Sequence, residues 1–415
     1  MKKIFLILFT VFSVFMIRAE ETDALRKAAT GGDAYSQFRL GNEYFYGTEA
    51  RKENRELAVY WFKKAADQGL PEAQLNYAIC LERGLGIKAD PVNAAPYYRK
   101  AADQGNNTAA LNLALLYLYG SGKQMEAEPA KAVPILQKLS EQKIAAAMIE
   151  LSAYQLNQQE VTTETRNKAF QMLLEASTLP DATAKGLRML ADCYYAGLGT
   201  EQDPQKTISL LRRASKMNDP EAWTKLAFFY EHGGPVEQDK QKAFRLYRHA
   251  ANAGLPFGQY KYAEFICDGF EEGKGLNAAL EYYDKSAKNG CPQAYHRLGL
   301  FALEGIGMDA PDKLRAAEMF ENAAKIGYPP SQYNLANMFA IGDGIPQDDR
   351  KAFFWFVQSA MRGHAPAMRQ VGICYYKGTG CIKNTDKAVE WIRAAAKAGD
   401  FTAQRMIERN AQDPW

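Results

Sequence analysis

Histidine is scarce in this 415-residue chain: there are four, His232, His249, His296 and His364, scattered without a paired ligand spacing. No metal site and no cofactor is therefore expected. An excess of either charge is missing too. Lys and Arg number 51 against 48 Asp and Glu, and the net +3 equals the three bases Lys2, Lys3 and Arg18 near the start. A neutral remainder gives no support for nucleic-acid binding driven by overall charge. Beyond residue 19 no run is apolar enough to span a bilayer, so no stable membrane insertion is expected. Cysteine is limited to six residues, none before Cys80, which excludes a lipid-anchored amino terminus. The apolar fraction of 47% and charged fraction of 24% leave an ordinary soluble protein and exclude disorder or collagen.

What is present begins with an export pattern. Residues 1–19 combine Lys2 and Lys3 with an apolar run from Ile4 to Ile17 and then Arg18-Ala19. Fourteen helical residues reach about 21 Å, short of a hydrocarbon core of about 30 Å. The segment therefore reads as a signal peptide rather than a membrane span. The mature chain should be periplasmic or secreted.

The rest of the chain repeats. One small residue recurs as Gly41, Ala78, Ala114, Ser152, Ala191, Ala227, Ala263, Gly299, Ala336 and Gly372, at spacings of 36–39 residues. A second ladder follows about 17 residues later, from Ala58 and Ala94 to Ala352 and Ala388. A third runs from Ala66 and Ala102 to Ala360 and Ala396. Within a unit the apolar spacing is helical: Val371, Cys374 and Tyr375 follow i, i+3, i+4, Gly378 to Gly380 breaks the run, and Ala388, Trp391, Ile392 and Ala395 resume it. Asp90-Pro91 and Asp203-Pro204 supply an N-cap acceptor and a first-turn proline. Glycines such as Gly69, Gly254 and Gly399 supply helix stops. Small residues on both helices allow close crossing, and a pair this short must stack on its neighbours. The expected fold is all-α: an α/α superhelical solenoid of about ten helix-turn-helix repeats of roughly 36–39 residues. Residues 20–32 form an N-terminal capping helix, 33–399 the solenoid and 400–415 a C-terminal cap. The unit at 144–181 lacks the glycine loop and reads as a degenerate repeat and possible hinge. Pro96 and Pro134 fall inside second helices, which they should bend.

Leu40-Gly41 with Tyr44 and Gly47, Leu298-Gly299 with Gly305 and Gly307, and Lys387-Ala388 with Trp391, Ile392 and Gly399 resemble the Sel-1-like repeat, a relative of the tetratricopeptide repeat. The resemblance covers nearly the whole chain after the leader. It implies a noncatalytic scaffold or adaptor that binds a protein or peptide on the concave face of the array. Exported bacterial members resemble partners of envelope sensors, cell-wall enzymes or export complexes.

Enzymatic motifs are weak. The glycine loops do not continue into the Gly-Lys-Ser/Thr of a phosphate cradle. Ser140 and Lys143 make a Ser-x-x-Lys, and some secreted relatives carry a β-lactamase label. The alternative reading is accordingly a secreted hydrolase acting on β-lactam or cell-wall substrates. Yet Ser140 sits on the third small-residue ladder and no second motif accompanies it, so no catalytic residue is assigned. Cys80, Cys193 and Cys374 occupy core positions. Cys374 and Cys381 are close in sequence, and a disulfide between them is left open.

The binding face is expected on the first helices, two residues before and one residue after the small position. Arg39, Asn42, Lys225, Phe228, Lys261, Glu264, Arg297, Leu300, Asn334 and Asn337 are the candidate groove residues. Stacking in register would align Lys225, Lys261 and Arg297 as a basic ladder, with Phe228 and Leu300 beside it and Glu264 as a partial counterion.

Overall fold

In the computed structural model, residues 23–48 and 51–412 are described. The proposed signal peptide at 1–19 lies outside them. Among the described residues the regular structure is helical, with two isolated bridges, Thr48 to Arg51 and Ser121 to Met125. The chain divides into two compact units, the first ending at Leu210 and the second beginning at Leu211.

In the first unit a helical stretch at 23–30 (α1) precedes alternating first and second helices. These are α2 (Ala34–Tyr46), α3 (Arg55–Asp67), α4 (Pro71–Arg83), α5 (Pro91–Asp103), α6 (Asn107–Tyr119), α7 (Pro129–Glu141), α8 (Ala145–Leu156), α9 (Thr163–Ala176) and α10 (Ala184–Ala196). The helix α11 (Pro204–Lys216) carries the boundary. The second unit continues with α12 (Pro220–His232), α13 (Lys240–Asn252), α14 (Pro256–Cys267), α15 (Leu276–Lys288), α16 (Pro292–Glu304), α17 (Lys313–Ile326), α18 (Pro329–Ile341), α19 (Asp349–Ala360), α20 (Ala365–Lys377), α21 (Thr385–Lys397) and α22 (Phe401–Gln412). Successive helices pack side by side from α2 to α10 and from α12 to α22.

The residues that start these helices are those chemistry demands. Asp90 accepts the Asn93 N–H at 3.1 Å, with Pro91 opening α5. Asp203 does the same for Lys206 at 2.9 Å. Helix stops are equally local: Gly69, Gly105, Gly254, Gly290, Gly327, Gly363 and Gly399 all have positive φ, and Lys143 and Asn218 adopt the same conformation where glycine is missing. The first and second small-residue ladders are buried. Ala78, Ala114, Ala191 and Ala227 face inward on first helices, as do Ala58, Ala94, Ala132 and Ala243 on second helices. A methyl at Gly299 would stand 2.6 Å from the Phe320 ring, which is why the crossing of α16 on α17 tolerates nothing larger. Four residues beyond the second ladder comes a large buried side chain, such as Phe62, Tyr98, Leu136, Tyr247, Tyr283 or Phe320, and these fill the space between layers.

The loop glycines join repeats as well as ending helices. At Gly86 an added Cβ would meet the Arg55 backbone at 2.4 Å, so the loop after α4 lies directly on the start of α3. At Gly380 it would meet the Asp349 carbonyl oxygen at 2.0 Å. Residues 144–181 keep both helices, α8 and α9, without any positive-φ glycine between them. Pro96 and Pro134 lie within α5 and α7, which each continue through the proline as one helix.

Candidate functional site

The outward face of the first helices is built by two positions that meet across repeats. In the first unit Asn76 Nδ2 donates to Asn42 Oδ1 at 3.1 Å, joining the earlier position of one repeat to the later position of the repeat before it. Arg39 is exposed beside them.

In the second unit the same geometry brings charges together. Lys225 is half-buried on α12, and one turn later Phe228 is 46% exposed, its ring 4.4 Å from His232. Lys261 on α14 is not the open rung that sequence spacing suggests. Its side chain is only 14% exposed, and Nζ donates to Glu231 at 2.8 Å and to Glu264 at 3.0 Å. Burial opposes its charge, but the two carboxylates outweigh that penalty and raise its pKa. Glu231 also accepts from Tyr247 Oη at 2.9 Å, and Glu264 from Tyr260 Oη at 2.7 Å. Arg297 on α16 stacks its guanidinium 5.0 Å from the Phe301 ring centre, and no protein acceptor meets its buried Nε. Leu300, Asn334 and Asn337 are half-buried further along the face. The expected run of three cations is thus a charge-alternating cluster. Glu231 was missed because it lies three residues beyond the scanned position; Tyr247, whose buried hydroxyl requires an acceptor, was the signal for it.

The Ser-x-x-Lys pair does not assemble. Ser140 donates its hydroxyl to the Leu136 carbonyl at 2.7 Å, and Lys143 pairs with Glu175 at 2.6 Å. Cys374 and Cys381 stand as free thiols in the structure. Burial pushes Cys374 up to about 11 and also raises Cys381, so each thiol ionises less readily than a free cysteine. Among the described residues no group of three or more His, Cys, Asp or Glu is placed to hold a metal, and no helix is long and apolar enough to cross a membrane.

Stacked antiparallel helix pairs with an exposed first-helix face define an α/α solenoid built from short helical repeats. The sequence profile of the Sel1 repeat matches residues 34–70, 71–106, 108–143, 184–219, 220–255, 256–291, 292–328, 329–364 and 365–400. The chain belongs to the Sel1 repeat family, whose members serve as protein-interaction scaffolds. It is 26% identical to c5321, a protective antigen of uropathogenic Escherichia coli strains with an SLR fold, over 95% of this chain and 90% of that one, with a TM-score of 0.50. It is 33% identical over 183 residues to the DAP3-binding cell death enhancer 1 of Mus musculus, covering 44% of this chain and 35% of the relative. It is 28% identical over 218 residues to the chitin synthase regulator SKT5 of Saccharomyces cerevisiae, covering 51% of this chain and 27% of that protein. The chain thus spans about a third or less of the length of these curated relatives.

Proposed function

We propose that this protein is an exported, noncatalytic adaptor of the bacterial envelope that holds an extended segment of a partner protein against the concave, first-helix side of its repeats. The observation that carries this reading is the composition of that side in the second unit. Phe228 is exposed on α12, Arg297 offers a cationic donor and Leu300 is accessible on α16, and two asparagines are accessible on α18. Apolar anchors alternating with polar groups suit an extended peptide. The names of the relatives, a binder of DAP3 and a regulator of chitin synthase, fit a protein that acts by contact. The leader pattern at 1–19 supports export, with an envelope sensor, cell-wall enzyme or export complex as the partner class.

The test is photo-crosslinking in the native envelope from a probe installed at position 300. One defined partner should crosslink there and be lost in the Phe228→Asp variant, while a probe at the exposed Lys288 on α15 yields none. Equal crosslinking from both sites would overturn the reading. Purified mature protein should leave nitrocefin and peptidoglycan unchanged, and an amino terminus at Glu20 after export would verify the leader. Turnover would instead support the hydrolase reading.

A further inference from the structure

Three of the ten second helices carry tyrosine at the large inward position: Tyr98, Tyr247 and Tyr283. The other seven carry Phe, Leu or Ile there, so the fold does not require a hydroxyl. All three tyrosines are fully buried. In two cases the residue sixteen positions earlier, on the last turn of the repeat's first helix, is a glutamate that accepts the phenolic hydrogen. Glu82 takes it from Tyr98 at 2.5 Å, and Glu231 takes it from Tyr247 at 2.9 Å. In the third case that residue is Cys267. No carboxylate or carbonyl accepts from Tyr283 Oη, whose polar neighbours are the Cys267 thiol and the Arg297 guanidinium.

The following repeat supplies a second donor to the same place. Lys261 reaches Glu231 from α14, closing a clamp in which one carboxylate is held by a tyrosine and a cation. For Tyr283 the equivalent residue is Arg297 on α16, and it lies beside the hydroxyl with its Nε buried and without a protein acceptor. The two donors of the clamp are therefore both present one repeat later, and the carboxylate is replaced by a short, exposed thiol. An unsatisfied buried hydroxyl is disfavoured enough that an apolar residue, used seven times elsewhere, would be the more stable choice.

We propose that Tyr283 and Arg297 form a receptor for a single carboxylate, an Asp or Glu side chain of the bound peptide, which takes the position that Glu231 occupies one repeat earlier. Three features select this chemistry. A tyrosine and a guanidinium are both donors, so they call for an acceptor bearing negative charge. Cys267 reaches the Tyr283 hydroxyl with a thiol rather than a carboxylate, and because burial raises its pKa it brings no negative charge to the two donors. Glu264 is the nearby acid; its oxygens are engaged by Lys261 and Tyr260, but its charge remains and disfavours a doubly charged phosphate. The inference rests on the peptide-binding reading and adds to it the group that is recognised.

The experiment uses the mature chain, a fluorescein-labelled octapeptide of glutamate and its glutamine counterpart. Wild type should bind the glutamate peptide more tightly. Cys267→Glu provides an internal carboxylate, so it should melt higher than wild type and lose at least tenfold in peptide affinity. Tyr283→Phe should lose affinity similarly and melt no lower than wild type, because no internal bond is removed. Cys267→Ala should bind as wild type does. A Cys267→Glu protein that binds the glutamate peptide as wild type does, or a Tyr283→Phe protein that melts clearly lower, would overturn the receptor. If neither peptide binds, the peptide-binding reading fails separately. Sodium glutarate then tests the receptor alone: it should shift the Arg297 Nε–H resonance in wild type and not in Cys267→Glu, and absence of that shift overturns the proposal.

Discussion

His296 shows how one side chain ties stability to pH. Its Nδ1 lies 2.8 Å from Ser331 Oγ, and its ring packs between Phe320 and Tyr328. Burial first, and then the charges of Arg297 and His364, lower its pKa to about 4. An unfolded histidine titrates near 6.5, so the unfolded chain takes up the proton first. The contribution is complete above about pH 6.5 and is lost as the pH falls towards 4. Denaturant titrations should therefore show wild type losing up to about 2 kcal/mol more than His296→Gln between about pH 7 and pH 5. Glycine offers a second test at this scale. Gly254 has φ +84° and open space around it, whereas Gly380 has φ +71° and a Cβ position 2.0 Å from the Asp349 carbonyl oxygen. Gly254→Ala should cost about 1–2 kcal/mol from conformation alone. Gly380→Ala should cost clearly more, measured by urea melts of the two variants. The sequence marks both as turn glycines, and only the fold separates them, because the difference lies in a neighbour 31 positions away.

Helix boundaries follow from residues next to them. Asp348 accepts the Lys351 N–H at 3.0 Å at the head of α19, and Asp348→Ala should lower stability by about 1 kcal/mol. Such caps were legible because the acceptor, the helix start and the apolar period all fall within a few residues. A different device was not. Gln74 donates to the Ala66 carbonyl at 3.3 Å, and Gln332 donates to the Ala324 carbonyl at 3.0 Å. Both glutamines are buried and reach back eight residues across the turn between repeats. They satisfy a carbonyl at the end of one helix from the first turn of the next. Nothing adjacent in sequence asks for an amide at that place, so the residue looks like an ordinary polar surface position. Replacing Gln332 with Leu removes this donor while the Gly327 N–H still reaches the same carbonyl, and should cost about 0.5–1.5 kcal/mol, read in the same urea melts. The acceptor at Glu231 was hidden for a related reason: its partners Tyr247 and Lys261 lie 16 and 30 positions away.

Across each unit the contacts are within a repeat or between neighbouring repeats, so stability is close to a sum of repeat and interface contributions. Gly86→Ala, which presses on the start of α3, should speed amide exchange in α3 to α6 and leave α16 to α21 unchanged. Hydrogen exchange followed by mass spectrometry resolves the two regions. Periodicity made the repeat readable because every unit solves the same packing problem with the same small residues. The face it presents was less readable, since that surface varies from repeat to repeat and its pairings cross repeat boundaries, as Lys261 does in joining Glu231 to Glu264.

The loop glycines that seat one repeat on the one before it also determine which changes of length the chain can absorb. Gly380 rests on the first residue of α19, and Gly86 on the first residue of α3, so each junction is a local instruction that any correctly phased repeat can obey. Duplicating the whole segment 292–328 should give a longer, cooperatively folded protein. Inserting a single alanine in the middle of α16 rotates every later residue of that helix by about 100° and should cause a larger loss of stability than the duplication. In such a chain the tolerated quantum of insertion is the repeat, and growth or shrinkage by whole units is open to it where growth by one residue is not.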